Sequence, residues 1–60
     1  MVTFSVYHRT SFGWAHSNVG ARRFVSLNSA IASAERWERG AFQIRAIDER
    51  GNQAIVHEQG

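Results

Sequence analysis

Leu27, Ala30, Ile31, Ala34 and Trp37 recur at spacings of three and four, and no other feature constrains the fold as much. The pattern predicts a helix with a single apolar stripe. One such stripe cannot make a core by itself, so the rest of the chain must supply a surface for it to lie on. Ser26 stands ahead of the stripe as an N-cap whose hydroxyl can accept from a free first-turn amide. Gly40 follows as the expected C′ residue. Glu35 and Arg39 stand four apart in the favourable order, a pair worth about 0.3–0.5 kcal/mol when exposed. Ala30, Ala32 and Ala34 let the helix approach a sheet closely, with Trp37 expected to anchor one end.

The segments on either side read as strands. From Val2 to His8, Val2, Phe4 and Val6 alternate with Thr3, Ser5 and Tyr7, the period-two pattern of a half-buried strand. Arg9 to Gly13 reads as a turn and Trp14 to Ser17 as a second short strand. Asn18-Val19-Gly20 reads as another turn or bulge, after which Arg22 to Val25 resumes an extended path. Beyond the helix, Ala41 to Ile47 alternates again. Asp48 to Asn52 forms a turn with Gly51 as its positive-φ residue, and Gln53 to Glu58 is the last strand.

The order is strand, strand, helix, strand, strand. The expected class is therefore α+β: a ββαββ chain forming a four-stranded, mainly antiparallel sheet with one helix across one face, as a single domain over 1–60. Phe4, Val6, Phe42, Ile44 and the helix stripe are the expected core. Tyr7, Arg9, Gln43, Arg45 and Ile47, with His57, are expected on the uncovered face. That face reads equally as a docking surface or as an ordinary solvated face with scattered apolar residues.

Sixty residues bury only about 60% of the unfolded chain's surface, so a second copy or a larger partner would relieve a shortage of core. A homodimer through an edge strand is one such arrangement. No cysteine is present, which excludes disulfides, thiolate metal sites and thiol nucleophiles. The N-terminal stretch has no basic start with an apolar run behind it, and no segment reaches the roughly 20 apolar residues of a membrane span. A cytoplasmic protein of a bacterial host, with no membrane partner, is the expectation.

All seven basic residues are arginine. Arginine's planar fork suits carboxylate, phosphate and aromatic partners, although a GC-rich coding sequence explains the same bias. Residues 1–25 carry Arg9, Arg22 and Arg23 with no acid, whereas residues 26–60 carry four arginines against five acids. One end is thus modestly basic. Arg9, Arg22, Arg23 and Arg45 are the expected contacts if the chain binds nucleic acid, with Tyr7 beside them to stack on unpaired bases. No RNP1, zinc-finger or basic-zipper signature accompanies them.

Chemistry of the catalytic kind has little support in the residues. His8, His16 and His57 match no zinc spacing, and no serine stands in a Gly-x-Ser-x-Gly elbow. Glu35, Glu38, Asp48, Glu49 and Glu58 read as solvated surface acids. The expectation is a non-enzymatic protein with no cofactor and no metal. Phe12-Gly13-Trp14 crowds two large aromatics into a turn. Trp14 is expected to fold back as a lid on the core, and Phe12 to stand out as an interface anchor.

The run Val25-Ser26-Leu27-Asn28-Ser29-Ala30, followed by a short helix, an alternating strand and an acidic turn ending in Gly51, resembles small phage proteins. These are the helix-on-sheet anti-CRISPR inhibitors of type I systems, and the likeness spans residues 22–58 by pattern. The chain is also similar to small bacterial ββαββ domains of unknown function that carry a Gly-Trp pair, here Gly13-Trp14. The phage resemblance implies an inhibitor that docks on a host protein or ribonucleoprotein, the CRISPR surveillance complex, and blocks its DNA binding. It places Arg36 and Arg39 at the contacting end of the helix, with Tyr7, Arg9, Phe12 and Arg45 completing the expected partner-binding set. The chain departs from that pattern in lacking lysine and in setting Glu35 and Glu38 beside those arginines.

Overall fold

The computed structural model describes residues 1–17 and 23–60. It shows the expected α+β architecture: strands β1 (Thr3–Thr10) and β2 (Gly13–His16), helix α1 (Leu27–Trp37), then β3 (Phe42–Ile47) and β4 (Gln53–Gln59). The sheet has the order β2-β1-β3-β4, with every neighbouring pair antiparallel. β2 and β3 therefore run parallel on either side of β1, and α1 supplies the crossover that such a pair requires. The expected turn at Asn18-Val19-Gly20, and Arg22, lie outside the described residues.

The core forms where the helix stripe meets the two central strands. Val6, Ala30, Ala34, Phe42 and Ile44 are buried, and Phe4, Phe24, Leu27 and Ile31 pack against them. Ala30 and Ala34 have no side chain beyond Cβ, so the helix backbone can approach Val6 and Ile44 closely. Phe24 closes one end. It exchanges backbone hydrogen bonds with Phe4 in both directions, at 2.8 and 2.9 Å, on the edge of β1 that β2 occupies further along. Trp37 does not anchor the helix as the stripe predicts. It is 57% exposed, and the Arg36 guanidinium lies 5.3 Å from its ring centre. Trp37 is the last helical residue, where the stripe has run past the sheet surface.

The two ends of the helix differ from expectation in one respect. Ser26 caps the start in extended conformation, its hydroxyl accepting from the Ser29 amide at 3.4 Å. At the other end the cap is Glu38, whose amide donates to the Ala34 carbonyl at 2.8 Å. Gly40 is therefore not the C′ residue, and its φ is not positive. Arg39 falls beyond the helix, and no ion pair joins it to Glu35 among the described residues.

Both hairpins are held by side chains that bond their own backbone. In the first, Thr10 Oγ1 donates to the Gly13 carbonyl at 2.7 Å and accepts from the Phe12 amide at 3.1 Å. Gly13 takes φ 114°, open to glycine and strained for other residues. β1 runs to Thr10, so Arg9 is a strand residue and not part of the turn. In the second hairpin Asp48 Oδ1 accepts from the Arg50 and Asn52 amides at 2.8 and 2.9 Å. Asn52 Nδ2 donates to Asp48 Oδ2 at 3.0 Å, and its bonds come first among the causes that lower the Asp48 pKa.

Replacement of Ile44 by Ala, which opens a void under the helix, is expected to cost about 2–5 kcal/mol. Trp37→Ala is expected to cost no more than about 0.5 kcal/mol. Urea denaturation followed by far-ultraviolet dichroism checks both. Equal losses for the two variants would contradict this placement of the core.

Candidate functional site

Directly opposed residues of an antiparallel pair project from the same face, so the strand register sorts the side chains. Phe4, Val6, His8, Phe42, Ile44 and Ala46 face the helix. Thr3, Ser5, Tyr7, Arg9, Gln43, Arg45 and Ile47 face the other way. β2 adds Trp14 opposite Arg9 and His16 opposite Tyr7 to that second face. No element among the described residues covers it.

A bulge decides what β4 contributes. Ile44 pairs with His57, but Arg45 pairs with Ile55, so Val56 is the extra residue. The bulge brings both Ile55 and Glu58 onto the open face. It turns His57 to the helix side, where its ring stacks 5.9 Å from that of Phe42. Plain alternation from Gln53 puts His57 on the open face with Ile55, and the inserted residue reverses it. Trp14 also departs from expectation: paired with Arg9, it lies on the open face and does not close the core.

On that face the aromatics and arginines touch one another. The Arg45 guanidinium lies 4.0 Å from the centre of the Tyr7 ring, and the Arg9 guanidinium lies 5.7 Å from that of Trp14. His16 meets the Tyr7 ring edge-on at 5.2 Å. Arg45 is held further by two glutamines: its Nε donates to Gln43 Oε1 at 2.6 Å and its Nη1 to Gln53 Oε1 at 3.2 Å. These side chains roof the sheet so closely that Ser5 and Gln43 are buried on a face with no helix, each at 1% exposure. The Ser5 hydroxyl beneath them has no hydrogen-bond partner among the described residues.

The expected partner-binding residues thus fall into two regions. Tyr7, Arg9 and Arg45 share the open face, and Phe12 stands fully exposed at the tip of the β1–β2 hairpin beside it. Arg36 and Arg39 are exposed at the far end of the helix, on the other side of the sheet. Of the remaining expected nucleic-acid contacts, Arg23 is exposed just before Phe24, which bridges Phe4 of β1.

A second polar cluster escapes sequence reasoning. Glu38, read as a surface acid, turns inward past the helix end. Its carboxylate accepts from the Ser17 hydroxyl at 2.7 Å and lies 3.4 Å from His8 Nδ1. Its side chain is only 8% exposed, and Ser17 is wholly buried. The cluster ties the end of β2 and the middle of β1 to the helix terminus. Spacing in sequence gives no sign of it, since Glu38 sits 21 residues from Ser17.

The three histidines do not converge. His16 is on the open face, while His8 and His57 are on the helix face with Phe42 between their strands. No group of three metal-ligating side chains gathers among the described residues. A shallow cleft of about 290 Å³ lies between Arg9, Trp14, Ala41 and Glu58. Sites that enclose small molecules run to about 300–1,000 Å³, so this cleft is at the low end and open. Among the described residues no helix is long and apolar enough to cross a membrane. Comparison with family models, curated proteins and solved structures gave no match.

Replacing Glu38 by Ala removes a charged hydrogen bond to Ser17 and is expected to cost about 1.5–3 kcal/mol. Thermal unfolding monitored by dichroism measures it. An unchanged melting temperature would show that the cluster contributes nothing to the fold.

Proposed function

We propose that this chain is a non-enzymatic binding protein that acts by covering a surface of its partner, with the open sheet face as its contact surface. The observation that carries the reading is the pair of contact groups Arg45–Tyr7–His16 and Arg9–Trp14 on a face that no other described element covers. Tryptophan, tyrosine and arginine are the residues on which interface energy concentrates. Size agrees with this use. The long and middle extents of the molecule are 30 and 23 Å, an area of roughly 700 Å², close to the ~800 Å² each partner gives to a standard interface.

Phe12 extends the same surface. A phenylalanine held fully in water at a hairpin tip adds nothing to this chain's own core, and an apolar partner pocket would give it burial. The resemblance to helix-on-sheet phage inhibitors points to a host protein or ribonucleoprotein complex as that partner, with inhibition by occlusion. In that reading Arg36 and Arg39 form a separate basic contact at the helix end.

The test is affinity capture with a tagged chain from bacterial lysate, comparing the wild type with an Arg9→Glu, Phe12→Ser variant. The wild type is expected to retain a defined partner of unaltered mass, and the variant to lose most of it. Equal capture by both would remove the open face as the contact surface. A partner altered in covalent mass after incubation would contradict the non-enzymatic reading.

A further inference from the structure

The arginines of the open face carry uncancelled charge. Among the described residues the ion pairs are Met1 with Glu49 and His8 with Glu38; neither Arg9 nor Arg45 has a carboxylate within salt-bridge distance. Arg45 is half-buried and fixed, yet both of its hydrogen-bond acceptors are neutral glutamine oxygens. A guanidinium has five N–H donors, and those bonds use two. Among the described residues the rest, with all those of Arg9, have no protein acceptor. The site is therefore pre-arranged for an anion: the cations are oriented, and Glu58, which lines a cleft with Arg9, forms no ion pair with either.

We infer that the open face binds single-stranded nucleic acid, with Arg9 and Arg45 on successive phosphates and Trp14 and the Arg45–Tyr7 stack as platforms for bases. This rests on the open face being the contact surface and names the chemistry it takes. Tyr7 and Arg9 are two residues apart on β1, about 7 Å along the strand. Arg45 sits over the Tyr7 ring and Arg9 over the Trp14 ring, and Tyr7 and Arg9 are next neighbours on this face of β1, so one extended strand crossing the face meets both cations. The rings decide between nucleic acid and an acidic peptide. A carboxylate-rich peptide would use the arginines and leave Trp14 and His16 without a planar partner. Bases stack on aromatic rings and on guanidinium planes alike. Glu58, opposite Gln43, puts a carboxylate on this face that opposes phosphate, so its removal should strengthen binding.

Fluorescence anisotropy with labelled short oligouridylate, and with a duplex of equal length, tests this on the full chain. Single-strand binding should weaken with salt at a log–log slope of about −1.4, for two phosphates. Trp14→Ala should weaken it about tenfold, Arg9→Glu should also weaken it, Glu58→Gln should tighten it, and Arg50→Gln, in the exposed β3–β4 turn, should leave it unchanged. Dichroism establishes that each variant is folded. Should Trp14→Ala lose its fold, Trp14→Phe takes its place and is expected to retain most of the binding, with Arg9→Glu carrying the test. Duplex bound as tightly as single strand would overturn the inference. So would failure to bind any oligonucleotide while partner capture from nuclease-treated lysate still depends on Arg9, an outcome that leaves the binding-protein reading in place. Loss of both would remove the two together.

Discussion

The structure depends on how α1 seats through Ala30 and Ala34 against Val6 and Ile44. All four residues are at most 1% exposed, and the small alanines set how near the helix can come. An 11-residue helix is about 16 Å long and about 10 Å across. It covers two strands spaced about 4.8 Å apart and no more. α1 accordingly packs on β1 and β3, the central pair. β4 remains an edge strand with Ile55 and Val56 about half exposed, and among the described residues no element covers the second face of the sheet.

That limit explains the polar roof on the open face. A sheet face with neither helix nor second sheet still has to shield its centre, and here long side chains lie flat across it. Arg45 serves because its stem covers apolar surface while its head stays hydrogen-bonded, and the Tyr7 ring gives the guanidinium a favourable seat. Ser5 and Gln43 are buried as a result. The same roof leaves two positive charges without an ion-pair partner among the described residues, so the shielding of the sheet and its proposed binding use involve the same side chains.

Much of this was legible in the sequence. Period-two alternation sorted Phe4 and Val6 from Ser5 and Tyr7, and Phe42 and Ile44 from Gln43 and Arg45, and the three-four spacing found the buried alanines. What was missed has specific causes. His57 changed face because one inserted residue, Val56, reverses an alternation that sequence cannot show to be broken. Trp37 fits the helical stripe but falls where the sheet no longer lies beneath it. Trp14 could not be placed without the β1–β2 register, and one residue of slip would move it to the other face. Glu38 looked like the other surface acids because its partners, Ser17 and His8, come from distant strands.

Amide hydrogen exchange on the isolated chain tests the one-sided seat of the helix most directly. Slowest exchange is expected in β1 around Ser5–Tyr7, bonded on both sides, and in β3 around Gln43–Ile44, with α1 protected through Ala34. The amides of β4 that point away from β3 should exchange fastest among the strands. Protection along the outer edge of β4 equal to that of β1 would contradict the account, because a second element, in this chain or in another copy, would then cover an edge described here as open.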